Sequence, residues 1–418
     1  MRCAPHVSFC IFFILFVLSV GIRAQSNPLV DTVRQLRQIE TRQDGWPSTD
    51  VPSLAQRLLP ELKSQLRALV VRTVNEHAAA APESLRTFLL ASFKDAGVGA
   101  LSEEQVENNY NADAEKYGYI SDVRVHQPRR HFDLLLVDVS LAIPCGDDHS
   151  LTVFQLMGSA WQPAIAADAN GYSEVSGAQG WLKYAISPPD ADGNWFLVTA
   201  NATPWCSSFW QGLHYKVLRP GSSPETPQVL LEEHRGVYLG VDEPFRLTIT
   251  SRGFEIHNVE SQGLDASLLT RIHVQKYKVE ANKVSRIPPF ALSPEDFLDE
   301  WFDLKWEEAS PWISTRDDSE LHRWHERFAS RREDHDFFTE FDFVQPCFAA
   351  GSDARWQIGL SLEGSSEKDL PEDVPEELFF TVVKRDGAFY IDGVAEERPG
   401  GCPGESRPRG YSLNSPLP

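Results

Sequence analysis

Two histidines one helical turn apart are the residues that come nearest to a metal site. His322 and His325 lie in a segment, about residues 318–328, whose pattern predicts a helix. Their imidazoles would then share one face and could hold a zinc ion. Zinc needs three or four such ligands, and four arginines crowd residues 323–332, which disfavours a cation. The pattern therefore favours a solvated amphipathic helix, with zinc as the alternative.

Aspartates beside glycine turns form a second candidate site, this one for calcium. The segment 190–194, Asp-Ala-Asp-Gly-Asn, places Asp190 and Asp192 on one side of a tight bend, and Asp168 precedes a similar Asn-Gly turn. Carboxylate oxygens in such a bend suit calcium. Neither segment ends in the bidentate glutamate of a full calcium loop, and Asx-Gly pairs are common in hairpin turns. The turn interpretation is favoured, with calcium as the alternative and no other cofactor predicted.

Aromatic side chains cluster around residues 205–215 and could bind a ligand. Trp205 and Trp210 offer flat apolar faces that could stack on sugar rings, although core packing is the usual role of such residues. We expect an unknown protein, peptide or carbohydrate as the partner of this region.

The search for catalytic motifs finds none. The sequence lacks a Gly-x-Ser-x-Gly elbow, an HExxH motif, a P-loop and a GxGxxG fingerprint, so the catalytic residues stay unknown. A carboxylate pair for glycoside hydrolysis, for example Asp299 with Asp303 or Asp190 with Asp192, stays open because the separation of such a pair depends on the fold.

The N-terminus predicts export. Residues 1–24 combine Arg2, an apolar run over residues 9–22 and a small residue, Ala24, before the expected cut, as in a cleavable signal peptide. An uncleaved anchor is the alternative; no later segment is apolar enough to span a membrane. We expect a secreted or periplasmic protein.

The cysteine count fits an oxidising compartment. Four cysteines follow the signal, and we predict the disulfides Cys145–Cys206 and Cys347–Cys402, because each pair would then stay within one predicted domain. Three pairings are possible, and buried free thiols are the alternative.

The formal net charge of −21 excludes a nucleic-acid partner, since such acidity is repelled by phosphates. The same charge favours solubility and basic partners.

Hydrophobic periodicity divides the chain into regions of different character. After the signal, residues 27–118 predict a helical segment. Its second helix has Ser53 as the cap and an apolar stripe that includes Leu58 and Leu62, and Pro60 breaks or kinks it; a polar helix begins at Ser102.

Residues 119–288 alternate with a period near two and predict an antiparallel β-rich domain, as a sandwich, barrel or part-propeller. Its predicted strands span residues 132–141, 151–157, 181–186, 195–200, 214–218, 229–231, 245–250 and 272–279. Residues 289–402 predict a small α+β domain whose first helix is capped by Ser293, and residues 403–418 a disordered tail. The fold class is therefore α+β and multi-domain.

The end of the α+β domain resembles a known superfamily. Residues 379–394 read Phe-Phe-Thr-Val-Val-Lys-Arg-Asp-Gly-Ala-Phe-Tyr-Ile-Asp-Gly-Val, with Asp386-Gly387 as a strong hairpin signal. Two predicted helices followed by strands that end in this hairpin resemble the close of a nuclear-transport-factor-like cone domain, in which a Lys-x-Asp-Gly-x-Trp/Tyr turn is frequent. The resemblance covers about the last quarter of the chain. It implies a cone with a pocket and no particular reaction.

These observations predict an exported, non-catalytic module that binds a ligand or partner. A cell-envelope hydrolase that uses carboxylates or a bound cation is the first alternative, and a calcium-steadied structural envelope protein is the second. Convergence of carboxylates and histidines in one pocket would favour the hydrolase.

Overall fold

The fold was analysed in a computed structural model of the chain. It describes residues 27–43, 46–99, 116–169, 171–205, 208–261, 270–288, 291–334, 337–347, 354–364, 370–400 and 402. The predicted signal peptide, the predicted tail and Cys206 lie outside these residues, as does a polar helix that we expected to begin at Ser102.

Helices form the N-terminal region, and four antiparallel sheets of four strands follow. The three N-terminal helices are α1 (Pro28–Arg37), α2 (Ser53–Glu76) and α3 (Pro82–Asp95), and a short β1–β2 pair (Arg42–Gln43 and Trp46–Pro47) lies between the first two. The chain is thus β-rich, and every sheet is a meander of sequential strands.

The long helix α2 corrects two details of the sequence prediction. Pro60 lies inside a helix that continues to Glu76, so the predicted break is wrong, while the kink stays a prediction. The cap is also different, because Pro52 occupies the N-cap position without a side-chain hydrogen bond and Ser53 is the first helical residue. The apolar stripe was predicted correctly: Leu58 and Leu62, among others, are fully buried, at about 1.5–3 kcal/mol for each such side chain.

The first sheet packs against these helices. Its strands are β3 (Ile120–His126), β4 (Leu134–Ile143), β5 (Gly146–Met157) and β6 (Ala160–Asp168). Alternate residues of β4 point to opposite faces, so Leu135 and Val137 join the core shared with the helices while Leu134 and Leu136 face the second sheet. The helical segment therefore has no separate core and is completed by the first sheet.

A buried ion pair fixes α2 to this sheet. Lys63 Nζ lies 2.5 Å from Asp148 Oδ2 on β5 and donates to the carbonyl of Ala169 at 2.8 Å. The Tyr172 hydroxyl donates to the same carboxylate at 2.9 Å. Both charges are buried, so each depends on its partner to offset the cost of leaving water.

The second sheet packs on the first, and the third sheet packs on the second. The second comprises β7 (Leu182–Ile186), β8 (Leu197–Ala202), β9 (Trp210–Ser223) and β10 (Thr226–Tyr238), and the third comprises β11 (Phe245–Thr250), β12 (Gly253–Ser261), β13 (Thr270–Glu280) and β14 (Lys283–Ile287). Leu197 and Leu218 face the first sheet, whereas Val198 and Val217 meet Phe254 across the next interface. The second sheet is therefore buried on both faces.

The C-terminal region surrounds an aromatic core. It contains α4 (Pro294–Asp303), α5 (Trp306–Ala309) and α6 (Ser319–Asp334), then β15 (Phe337–Cys347), β16 (Ala354–Gly364), β17 (Glu377–Arg385) and β18 (Ala388–Ala395). The Ser293 side chain caps α4 by accepting from the Asp296 N–H, as the sequence predicted. Asp386 and Gly387 have positive φ at the β17–β18 turn, which confirms the predicted hairpin. Trp301 and Phe380 fill the space between helices and sheet.

The predicted disulfide between Cys347 and Cys402 is present, and it closes a loop of 55 positions. We expect the double variant Cys347→Ala/Cys402→Ala to lose about 2–4 kcal/mol of unfolding free energy, because the open loop gains entropy in the unfolded chain. Urea unfolding without reductant, which leaves the disulfide at Cys145 intact, measures this loss. An unchanged midpoint would contradict a stabilising role.

None of the described helices is both long and apolar enough to span a membrane.

Candidate functional site: a polar cleft between α2 and two sheets

A cleft of about 310 Å³ opens where α2 meets the edges of the first and second sheets. The helix contributes Pro60, Ser64 and Arg67, and β6 contributes its last three residues, which end at Asp168. The second sheet closes the other side with residues of β8, β9 and β10, and Gln179 comes from the segment before β7. Two sheets and a helix thus form its walls, which gives the cleft a rigid frame.

Three polar atoms of the cleft-lining residues have no hydrogen-bond partner within the described part of the chain. They are Arg67 Nε, Asp168 Oδ1 and Gln179 Oε1. The Asp168 side chain is only 7% exposed and that of Arg67 11%. These atoms are themselves shielded from solvent, so they lie within the walls of the cleft. A buried polar atom without a partner costs about 1–3 kcal/mol.

The positive charges that line the cleft are already engaged in ion pairs. Arg67 forms an ion pair with Asp168 and lies 3.5 Å from Glu225, and Lys216 lies 2.8 Å from Glu232. The cleft therefore offers hydrogen-bonding atoms without a strong excess of either charge.

A second group of functional side chains is buried between the third sheet and α4. His273 Nδ1 lies 3.0 Å from Glu260 Oε1, and His273 Nε2 lies 2.7 Å from Glu300 Oε2. Among the described residues, these three side chains form the one trio whose ligand atoms lie close enough to hold a metal ion together.

Arginines already pair with the carboxylates of this trio. Arg271 lies 2.6–3.1 Å from the carboxylates of Glu260, Asp299, Glu300 and Asp303, and Arg286 lies 2.5 Å from Glu300. Both nitrogens of His273 also face carboxylates, which leaves neither lone pair directed at an open position. The donor set fits a closed ion-pair network better than a metal centre.

The network determines the protonation of its members. Burial alone would lower the pKa of His273, but the carboxylates of Glu260 and Glu300 outweigh it and raise that pKa above its ordinary value. Burial would raise the pKa of Glu260, but His273 and Arg271 lower it to about 2. Burial is likewise outweighed at Glu300, whose pKa falls well below its ordinary value beside His273 and Arg286. Each of these shifts favours the charged form of its group.

The three aspartates predicted for calcium lie in two different environments. Asp190 accepts hydrogen bonds from the N–H groups of Asp192 and Asn194, at 2.9 and 2.8 Å, in the turn between β7 and β8. The hydrogen bond from Asn194 contributes most to lowering the Asp190 pKa. Asp168 is in the cleft, paired with Arg67. The structure does not bring the three together as one ligand set, and a calcium role stays a prediction.

The two histidines predicted for zinc have separate partners. The His322 ring stacks on Trp306 with centroids 4.1 Å apart, and its Nε2 lies 3.2 Å from Glu326. His325 is buried, with its Nε2 3.2 Å from the carbonyl oxygen of Trp301. These contacts fit an amphipathic helix packed on an aromatic core, and a zinc role also stays a prediction.

The two tryptophans predicted to bind a ligand lie just before β9 and at its first residue. Trp205 is 43% exposed, and the Trp210 ring lies 4.6 Å from that of Tyr238. Cys145 is disulfide-bonded, but Cys206, its predicted partner, lies outside the described residues.

The sequence analysis did not identify the residues of the cleft or of the buried network, apart from Asp168 and the suggestion of Asp299 with Asp303. Arg67 and Gln179 carry no local motif. For Glu260, the alternation of Phe254 and Ile256 with polar residues was the available signal, because it would have predicted β12.

Comparisons with known proteins identify no family. No protein-family model matches the chain, and no curated protein matches it. Among solved structures it is similar to the GH93 α-L-arabinofuranosidase of Fusarium graminearum with arabinobiose, at 7% identity and a TM-score of 0.24 over 62% of each chain.

A second structure of that Fusarium graminearum enzyme, Arb93A with an iminosugar inhibitor, gives 7% identity and a TM-score of 0.24, over 69% of this chain and 68% of that one. A mutant of the enzyme gives 8% and 0.23, over 62% and 77%. The match spans less than two thirds of the length of the first of these structures. Such low TM-scores carry no argument about fold or activity.

Proposed function

We propose that the protein is an exported, non-catalytic ligand-binding module and that the cleft beside α2 is its binding site. The observation that carries this proposal is a cavity of about 310 Å³ that α2 and two sheets enclose, with Arg67, Asp168 and Gln179 among the polar residues of its lining. A concave site with a few converging polar groups is the usual form of a small-molecule site.

Export is part of the proposal and is supported by two features. The apolar run and small residues of positions 1–24 are those of a signal peptide. The Cys347–Cys402 disulfide fits an oxidising compartment such as the periplasm or the exterior of the cell.

A hydrolase has less support. The carboxylates and histidine that converge, Glu260, His273 and Glu300, are buried and engaged with arginines. A general acid or base must reach a substrate proton, and groups held in a closed network do not.

The architecture that we propose for the β-rich domain is a part-propeller. Three consecutive four-stranded meanders stack face to face through apolar cores, as propeller blades do. For the C-terminal region we retain the resemblance to a nuclear-transport-factor-like domain, which is supported by helices α4–α6 packed on the sheet that ends in the β17–β18 hairpin.

Filling the cleft tests the proposed site. Ser64 is exposed and lines the cleft, so Ser64→Trp should fold normally and block it. The control is Gln65→Trp, because Gln65 lines a different hollow beside α1.

The readout is ligand-observed NMR of the mature chain with a mixture of small metabolites of varied charge. We expect compounds that bind the wild type and Gln65→Trp but lose binding to Ser64→Trp. Compounds that bind all three proteins equally, or no binding at all, would overturn the proposal.

A further inference from the structure

We infer that His214 and His234, on neighbouring strands of the second sheet, together bind a divalent transition-metal ion of the class of Zn²⁺, Ni²⁺ or Cu²⁺. The inference is independent of the proposed cleft site, because neither histidine is among the residues that line the cleft. It is drawn from the register of β9 and β10, from the contact between the two rings and from the space beside them.

The two histidines lie directly opposite one another. His214 of β9 and His234 of β10 are cross-strand partners in this antiparallel pair. Their ring centroids are 4.1 Å apart, and the ring planes meet at 85°. Two nitrogens bound to one tetrahedral zinc ion lie roughly 3.3 Å apart, because each zinc–nitrogen bond is about 2.0–2.1 Å long. Rings in contact reach that separation by rotation about their side-chain bonds, while the strands hold the two residues in register.

Two glycines leave an open space beside this pair. Gly212 and Gly236 are also cross-strand partners, and they lie on the same face as the histidines because side chains alternate along a strand. His214 Nε2 lies 3.3 Å from the position that a Cβ atom of Gly212 would take, so this nitrogen is beside the space over the glycine. A Cβ atom on Gly236 would meet nothing within 4 Å. The hollow over the two glycines therefore has room for an ion and its water ligands.

The imidazoles are available to a cation. Within the part of the chain that the structure describes, neither ring has a hydrogen-bond partner. Burial, followed by the nearby His234, lowers the pKa of His214. Lys216 acts in the same direction and Glu232 against it, and these two side chains already pair with each other at 2.8 Å. The neutral imidazole, which has the lone pair that a metal needs, is therefore favoured.

The donor atoms indicate the class of ion. Imidazole nitrogen suits Zn²⁺, Ni²⁺ and Cu²⁺, whereas Ca²⁺ and Mg²⁺ prefer oxygen ligands. Two imidazoles leave the other coordination positions to water, so the site is open, unlike the closed four-ligand sites of structural zinc. We therefore expect an ion that exchanges with solvent.

Equilibrium dialysis of the untagged mature chain against Ni²⁺ or Zn²⁺ at neutral pH tests the site. We expect one ion per chain to depend on both histidines. His214→Gln and His234→Gln should each weaken its binding at least about tenfold, because the second nitrogen binds an ion that the first already holds. The control is His126→Gln, which removes a single exposed imidazole at the end of β3 and should leave the affinity unchanged. Thermal melting of each variant shows that it is folded.

A variant that keeps both histidines gives a second readout. Gly236→Leu places a side chain in the hollow, and its Cβ atom has free space, so the strand should form normally. We expect it to weaken binding at least about tenfold, because an ion in the hollow would meet the new side chain. Gly393→Leu is the matched control, since Gly393 of β18 has equally free space in a different sheet.

Three results would overturn the inference. The first is the absence of stoichiometric binding to the wild type at millimolar ion. The second is unchanged affinity in either histidine variant, or an equal loss in His126→Gln, since the ion would then be bound by single surface imidazoles. The third is equal affinity in Gly236→Leu and Gly393→Leu, which would exclude an ion over the two glycines. None of these results bears on the cleft.

Discussion

Replacing Arg271 with methionine should lower the free energy of unfolding by about 3–5 kcal/mol, the cost of removing one partner from a buried ion pair. Arg271 is 3% exposed and contacts four carboxylates at 2.6–3.1 Å. Methionine fills a similar volume but leaves those carboxylates with less opposing charge. Urea unfolding monitored by tryptophan fluorescence gives the midpoint and slope from which the loss is obtained.

The matched control is Arg34→Met at the surface. Arg34 is 61% exposed and lies 2.8 Å from Asp31, so its ion pair should contribute no more than about 1 kcal/mol. Equal losses in the two variants would contradict a special role for the buried network. Wild-type stability in Arg271→Met would show that apolar packing replaces the network without loss.

The same network should make the free energy of unfolding fall both at acidic pH (the acid limb) and at alkaline pH (the alkaline limb). The pKa of Glu260 falls from 4.5 to about 2 on folding, which corresponds to about 3 kcal/mol. Because the folded pKa is lowered, this stability is present above about pH 4.5 and is lost as the pH falls towards 2. His273 has a raised pKa, so its contribution is complete below its unfolded pKa of about 6.5 and is lost as the pH rises through the folded value.

Thermal melting from pH 2 to pH 10 measures both limbs. We expect Glu260→Gln to flatten the acid limb and His273→Gln to flatten the alkaline limb, each relative to the wild type. If His273 is neutral in the folded protein, the stability of His273→Gln should fall at alkaline pH as much as that of the wild type. That result would also reopen the metal hypothesis, because a neutral imidazole has a lone pair for a cation.

Local signals in the sequence predicted local structure well. The cap at Ser293, the hairpin at Asp386-Gly387 and the disulfide Cys347–Cys402 each depend on residue types at short spacing or on the redox compartment. The apolar stripe of α2 was also predicted from the spacing of its apolar residues. The predicted break at Pro60 failed because the apolar packing on both sides of the proline keeps the helix continuous.

The candidate site could not be predicted in the same way. Its walls come from α2, β6 and the second sheet, which are distant in sequence and meet through tertiary packing. The strand β6 was not predicted because it contains Pro163 and four alanines, residues with little preference for strands. The strands β12 and β14 were also not predicted. Asp168 was predicted as a ligand for calcium, and only the fold reveals Arg67 beside it.

The contact between Lys63 and the carbonyl of Ala169 can form only after both residues have been synthesised. The two residues are 106 positions apart, so at about 5–20 residues per second the ribosome needs roughly 5–20 s to supply the second after the first. The strands β3, β4 and β5, which share the core of α2, are supplied within that interval, and β6 only at its end. A fragment that ends before β3 would keep the sheet-facing side of that core exposed to water.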